Sequence, residues 1–377
     1  MSVNPANSLS TSTALVPVFK RFYVEDIETW SDVDLKKASR RRYFKASAKI
    51  ILIGGALDDR PAWCWHPGEP IPADVIEAYS DPECAYVSHG TFDPYGIEQI
   101  AHQQLGWPLF PPHRRINTID DLHMLGYPGE LALAARILAL QHQKLPRPKN
   151  NAPLDEWDRY NLGDVETTRE LVRRIHHLVL VTPTERRFRE MHAAINETGF
   201  AVDLDLAWCA LRIVKAEIKA INTELATITG KKIKTIDQNV ALLAWLRERG
   251  ANIKNLTKDA LAAFDSSGLP DDVRRVIELR QSGAKATVKK LKAFLDFADD
   301  DDRIREAFSY HQAHTGRSAG RGSQVQNIKK VEIRDDELAT AIALARSGDY
   351  AQFKQRFAGD TLGMIANLMR SIVWAGK

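Results

Sequence analysis

The sequence predicts an α/β domain followed by a mostly α-helical region. Three observations carry this. Short apolar runs alternate with helix-like segments from Phe22 to about Leu180, the pattern of strands joined through helices. The character then changes after "VTPTE". Beyond that point one long segment carries a single apolar stripe at helical spacing, with Lys and Glu opposite.

In order along the chain, residues 1–20 are small and polar ("MSVNPANSLSTSTALVP") with no basic start or long apolar core, which reads as a flexible leader and not a secretory signal. "RFYVEDIETW" (21–30), "KIILIGGAL" (49–57) and "CAYVSHGTF" (84–92) are the strand candidates, and "GIEQIAHQQLG", "GELALAARILAL" and "DVETTRELVRRIHHLV" the helices between and after them. Pro183 and Thr184 open a helix through "ERRFREMHAAINE" that Gly199 closes. In "DLAWCALRIVKAEIKAINTELATIT" the residues Leu206, Ala210, Val214, Ile218, Ile221, Leu225 and Ile228 form the apolar stripe of a packing helix. Shorter helices follow at "NVALLAWLRERG", "KDALAAF" and "PDDVRRVIELRQSGAKATVKKLKAFLDFA", the last ended by the acidic run Asp299 to Asp302. Everything past Gly199 reads as helical, and the expected domains are 1–20, 21–182 and 183–377.

At 377 residues, 44% hydrophobic and 27% charged, the chain is an ordinary soluble protein by composition. Its longest apolar run is far short of the roughly 18–20 residues that cross a bilayer, so a cytoplasmic location is expected. Three cysteines without CxxC spacing, Cys64, Cys84 and Cys209, point to a reducing compartment and away from disulfides or zinc. The net charge of +3 says little about partners. Between Arg303 and Lys330, however, Arg303, Arg305, Arg317, Arg321, Lys329 and Lys330 face the single acid Glu306. This is either a phosphate-binding surface or a solvated basic loop.

"YVEDIETW" sets two acids, Asp26 and Glu28, on one face of a strand, with Val24 on that face and Ile27 behind. Like charges side by side are tolerable when solvated at a strand end, or useful when a hard divalent ion such as Mg²⁺ sits between them. Asp93 follows an apolar strand at the start of a helix, as a ligand or as an N-cap. Tyr160 and Asp164, four apart, share one helix face, in a site or in a surface turn.

The ordered set D-x-E, F-D after a strand and Y-x-x-x-D on a late helix resembles the three exonuclease motifs of the DEDD superfamily, tyrosine subtype. That resemblance implies a ribonuclease H-like fold, a mixed sheet flanked by helices. It implies that Asp26, Glu28, Asp93 and Asp164 hold two Mg²⁺ or Mn²⁺ ions, and that Tyr160 orients the attacking water for 3′-to-5′ hydrolysis. The family usually carries asparagine four residues before the second-motif aspartate. His89 stands there, where one imidazole nitrogen could donate to nucleic acid.

The later segments "INETGFAVD" (195–203), "QNVALLAWLRERGANIKNLTKDAL" (238–261) and "SYHQAHTGRSAGRGSQVQNI" (309–328) follow the order found in family A DNA polymerases of phage type. By that resemblance Thr315, Arg317, Gln326 and Asn327 touch primer and template between thumb and palm. Lys285 and Lys289 would meet backbone phosphates, or lie on a solvated helix face. In that family palm and fingers would follow the final helix; the polymerase is expected to be either split, with palm and fingers on a separate partner polypeptide, or truncated, and this chain alone is not expected to synthesise DNA. The implied partner is DNA, as a single-stranded 3′ end and as primer-template duplex, and the implied role is proofreading. The alternatives are a non-catalytic DNA-binding subunit and an exoribonuclease similar to RNase D.

Overall fold

The computed structural model describes residues 19–35, 37–179, 181–283 and 287–374. The chain divides into two compact units. The first comprises Met1–Thr198 together with Phe308–Arg321, and the second Gly199–Ala307 together with Gly322–Lys377. The units part after Thr198, one helix later than the boundary expected at residue 182, since Pro183–Thr198 belongs to the first unit.

The first unit is a mixed five-stranded sheet with helices around it. Its strands are β1 (Arg21–Trp30), β2 (Lys49–Leu57), β3 (Trp63–Trp65), β4 (Cys84–Ser88) and β5 (Arg115–Asn117), in the order β3-β2-β1-β4-β5. Pairing is antiparallel for β1 with β2 and β2 with β3, and parallel for β1 with β4 and β4 with β5. β1 and β2 span the ranges expected from the sequence. β3 and β5 are too short for periodicity to betray.

Alternation along β1 feeds two cores. Tyr23 and Ile27 join an aromatic-rich cluster with Phe44, Trp65, Trp107 and Phe110, where each buried ring contributes about 1.5–3 kcal/mol by burial. Val24 points the other way, into a cluster with Val87, Val165 and Val172. The last two belong to the helix Leu154–Ile175, hereafter the site helix, which covers the face that bears Asp26 and Glu28. Its buried residues Trp157, Tyr160, Asn161, Asp164, Thr168, Leu171 and Ile175 recur every three or four positions. Asp155 and Glu156 in its first turn and Arg173 and Arg174 in its last complement the helix dipole.

The segment expected as one helix over "GIEQIAHQQLG" is a π-helical turn, Ile97–His102, followed by Gln103–Leu105. The hairpin Phe308–Ser309 with Ala319–Gly320 is fastened within the first unit. Asn196 donates to the Phe308 carbonyl (2.9 Å) and accepts from its amide (3.1 Å). His123 Nδ1 donates to the Tyr310 carbonyl (2.9 Å), and the Tyr310 hydroxyl donates to Glu185 (2.5 Å).

The second unit is mainly helical. In Leu204–Ile228 the expected stripe is largely inward: Leu206, Ala210, Val214, Ile221 and Leu225 are buried, while Ile218 and Ile228 are half-buried. It is not wholly helical, which corrects the sequence reading. Phe200–Val202, Arg303–Ile304 and Val373–Trp374 form a small three-stranded sheet. Strands of two or three residues leave no alternation to read, and Gly199 (φ +66°) turns the chain from helix into the first of them. Among the described residues no helix is long and apolar enough to cross a membrane.

Candidate metal centre

β1 delivers the first two acids. Asp26 lies opposite Gly54 of β2, and the register shifts between Glu28 and Thr29, where Ile51 of β2 is skipped in the pairing. The site helix delivers Tyr160 and Asp164 to the same face. Carboxylate oxygens of Asp26, Glu28 and Asp164 all lie within 4.8 Å of one another. Asp93 stands outside that trio, in the short helix Phe92–Gly96 after β4, and is buried. It is near enough that Asp26 and Glu28 act on its charge.

The electrostatics are those of acids crowded out of water. Burial, then the charges of Glu28 and Asp164, hold Asp26 well above the ordinary aspartate range. Burial raises Glu28 to about 7, with Arg147 opposing and Asp164 adding to the rise. Asp93 is held well up by burial and by Asp26 and Glu28, and Asp164 is raised by burial. Such a cluster is relieved by a multivalent cation with oxygen preference. The donor set fits one: Asp164 Oδ1 is buried without a hydrogen-bond partner. Tyr160 is pushed up to about 12, chiefly by burial, so its phenol keeps its proton at neutral pH.

Three contributors to this site were not found from the sequence. Asn161, fully buried, donates from Nδ2 to Asp26 Oδ2 (2.7 Å) and to the Asp26 carbonyl (3.1 Å), fixing that carboxylate. Lys144 donates to Asp164 Oδ2, and its Nζ lies 4.8 Å from the Tyr160 ring centroid. Arg147 approaches Glu28 at 3.6 Å and stands 5.4 Å from the Trp157 ring centroid. Only the basic composition of "QKLPRPKN" hinted at the last two. Behind the sheet, the fully buried Glu25 accepts from Tyr23 (2.5 Å) and Trp107 (3.1 Å), and burial raises it to about 7.

His89 does not present a spare donor. Its Nε2 donates to the Gly129 carbonyl (2.9 Å), and its Nδ1 faces the Thr118 hydroxyl (2.8 Å). Donation to nucleic acid would require one of these bonds to open. Burial lowers its pKa to about 4. A histidine depressed in the folded state binds fewer protons there than in the unfolded chain between pH 4 and 6.5. Its contribution is therefore present above about pH 6.5 and is lost as pH falls toward 4. Wild type should lose up to about 3 kcal/mol over that window from this group. In urea melts the stability gap between wild type and His89→Asn should narrow accordingly on acidification.

The expected DNA contacts divide between the units. Thr315 and Arg317 are exposed on the hairpin segment of the first unit. In the second, Gln326 and Asn327 are exposed on the turn Val325–Asn327, whose Asn327 carbonyl accepts from Lys290. Lys289 is exposed on the helix Thr287–Phe297, and Lys285 lies outside the described residues. The basic stretch 303–330 is less available than its composition suggests. Arg305 is tied to Asp299 (2.8 Å) and Asp301 (2.6 Å), and Lys329 pairs with Glu332 (2.5 Å). The acidic run before it supplies the partners of Arg305. Cys64 and Cys84 are held as thiols, raised by burial to about 12.

The fold is similar to part of a polymerase domain. The chain is similar to the POL domain of Pol1 from M. smegmatis, solved in complex with DNA primer-template and dNTP, with a TM-score of 0.52 and 16% identity over 85% of this chain and 54% of that one. In sequence it is 29% identical, over 92% of its length, to a protein named DNA polymerase from Bacillus phage SP02, of which it covers 56%. The chain thus spans about half the length of these relatives. No protein-family profile matches it.

Proposed function

We propose that the chain is the exonuclease and thumb portion of a DNA polymerase of phage type, family A. In this reading the first unit, with a ribonuclease H-like sheet, removes nucleotides from DNA 3′ ends in proofreading. The observation that carries this is the convergence of Asp26, Glu28 and Asp164 within 4.8 Å, with Asp93 and the protonated Tyr160 beside them. The similarity to a phage DNA polymerase supports it.

Asp26, Glu28, Asp93 and Asp164 would hold two Mg²⁺ or Mn²⁺ ions, whose chemistry is to lower the pKa of a water and to offset charge on the departing 3′-oxygen. Asn161 keeps Asp26 in one rotamer. Tyr160, protonated, donates to or accepts from the attacking water and sets its direction without taking its proton. Thr315, Arg317, Lys289, Gln326 and Asn327 would supply contacts to DNA, positional and not base-reading.

The test is direct. The purified chain is incubated with end-labelled single-stranded DNA, with matched and mismatched primer-templates and with RNA, in Mg²⁺ and in EDTA. Single-nucleotide shortening of DNA from the 3′ end, abolished by EDTA, is expected. Tyr160→Phe should slow it roughly ten- to hundredfold, because a misdirected water attacks less often, with little change in KM. Equal, negligible shortening in both conditions overturns the reading in favour of a non-catalytic DNA-binding subunit. Faster loss of RNA than DNA overturns it in favour of a ribonuclease.

A further inference from the structure

We propose that Lys144 is a positioning residue of this site, a built-in cation that holds the Asp164 carboxylate until a divalent ion takes it over. The proposal rests on the hydrolytic reading above and adds a residue that none of its motifs contains. Lys144 lies in the segment 138–153, between the helix Leu131–Ile137 and the site helix. Lys144, Leu145 and Arg147 dock this segment on the site. The Lys144 ammonium donates to Asp164 Oδ2, beside the Tyr160 ring. Leu145 lies over Gly163, where a side-chain carbon would already be in ordinary contact with it (3.5 Å). Arg147 reaches Glu28 at its rim (3.6 Å) and the Trp157 ring. One short loop thereby sets a positive charge against two of the three converging carboxylates.

The reason is visible in the acids. The Asp164 side chain is 3% exposed and Glu28 11%, so water screens little of their mutual repulsion. A monovalent ammonium on Asp164 offsets that repulsion and keeps the carboxylate turned toward Tyr160 on its own helix. A divalent cation seeking the same oxygens meets that ammonium as a like charge, so uptake requires Lys144 to let go of Oδ2. Holding the ligand and competing for it are one contact seen from two sides.

Mn²⁺ alone is the probe, followed through the electron paramagnetic resonance signal of the free ion in titrations of wild type, Lys144→Met, Lys144→Arg and Asp164→Asn. Wild type should bind Mn²⁺, and Asp164→Asn should weaken that binding. Lys144→Met should bind about tenfold more tightly than wild type, the size of a lost charge-assisted hydrogen bond to the ligand. Lys144→Arg, which keeps the charge, should return to within about twofold of wild type. In EDTA the melting temperature of Lys144→Met should fall, and saturating Mn²⁺ should restore it. Should that variant not fold, Lys144→Gln carries the same expectation. Equal or weaker affinity in the neutral variants overturns the role of Lys144 and leaves the hydrolytic reading standing. No Mn²⁺ uptake by wild type or by any variant overturns both.

Discussion

Asp26→Asn is expected to reduce 3′-to-5′ shortening of DNA in Mg²⁺ by on the order of 10³-fold or more, about 4 kcal/mol of transition-state stabilisation. The substitution is nearly isosteric, and its carbonyl oxygen still accepts from Asn161, so the loss reports on charge and not on folding. A second readout separates the two. The folded-state pKa of Asp26 is raised by burial, Glu28 and Asp164. The folded chain therefore binds more protons than the unfolded chain above pH 3.9, and wild-type stability falls as pH rises from there. Asparagine has no such cost. In EDTA the variant should melt above wild type at pH 8, and the gap should shrink toward pH 4. A variant that is inactive and also melts lower at pH 8 would mean that Asp26 is structural.

Gly54→Ala should be nearly as damaging, although Gly54 carries no chemistry. A Cβ there would lie 1.7 Å from Asn161 Oδ1, 2.8 Å from Asn161 Cγ and 3.1 Å from Val165 Cγ2. Neither neighbour has room: Asn161 and Val165 are fully buried. Overpacking of this kind costs about 1–3 kcal/mol. It also pushes Asn161 off Asp26, which faces Gly54 across the strand pair. We expect a melting temperature several degrees lower and an exonuclease kcat down by about a hundredfold with KM little changed. A variant that melts lower yet keeps wild-type kcat would show that Asn161 does not govern Asp26. The neighbouring Gly55 is needed for a different reason, since its Cβ would lie 2.5 Å from the Trp63 ring.

These glycines show where sequence reasoning stops. "KIILIGGAL" announces a strand, and its span is legible because apolar residues crowd a short run. That one glycine makes room for an asparagine more than 100 residues away is a fact of packing that no local period encodes. Asp26 with Glu28, and Tyr160 with Asp164, were legible as pairs sharing a face, because i and i+2 on a strand and i and i+4 on a helix point the same way; spacing left each pair open to a solvated reading, and only the resemblance to the exonuclease motifs joined them with Asp93. The cations opposite them were not. Lys144 and Arg147 lie in an irregular loop without period, and ion pairing depends on where that loop lands. His89 was legible as a departure from a motif, but its two internal partners, Thr118 and Gly129, come from elsewhere in the fold. The tiny second sheet and the π-helical turn at Ile97–His102 escaped for a simpler reason: each is shorter than the window in which a period can be counted.

The hairpin Phe308–Arg321 bears on how this protein can be dissected. In the order of the chain, Gly199–Ala307 is an insertion within the first unit, because the polypeptide leaves that unit at Thr198 and comes back to it at Phe308. A fragment ending at residue 198 would contain all five sheet strands and every acid of the site, and would look complete on paper. It would still strip Asn196 of both its backbone partners, and His123 and Glu185 of theirs on Tyr310. The first unit is thus not a portable cassette: it can be moved into another protein only as two pieces of sequence, with something to bridge them.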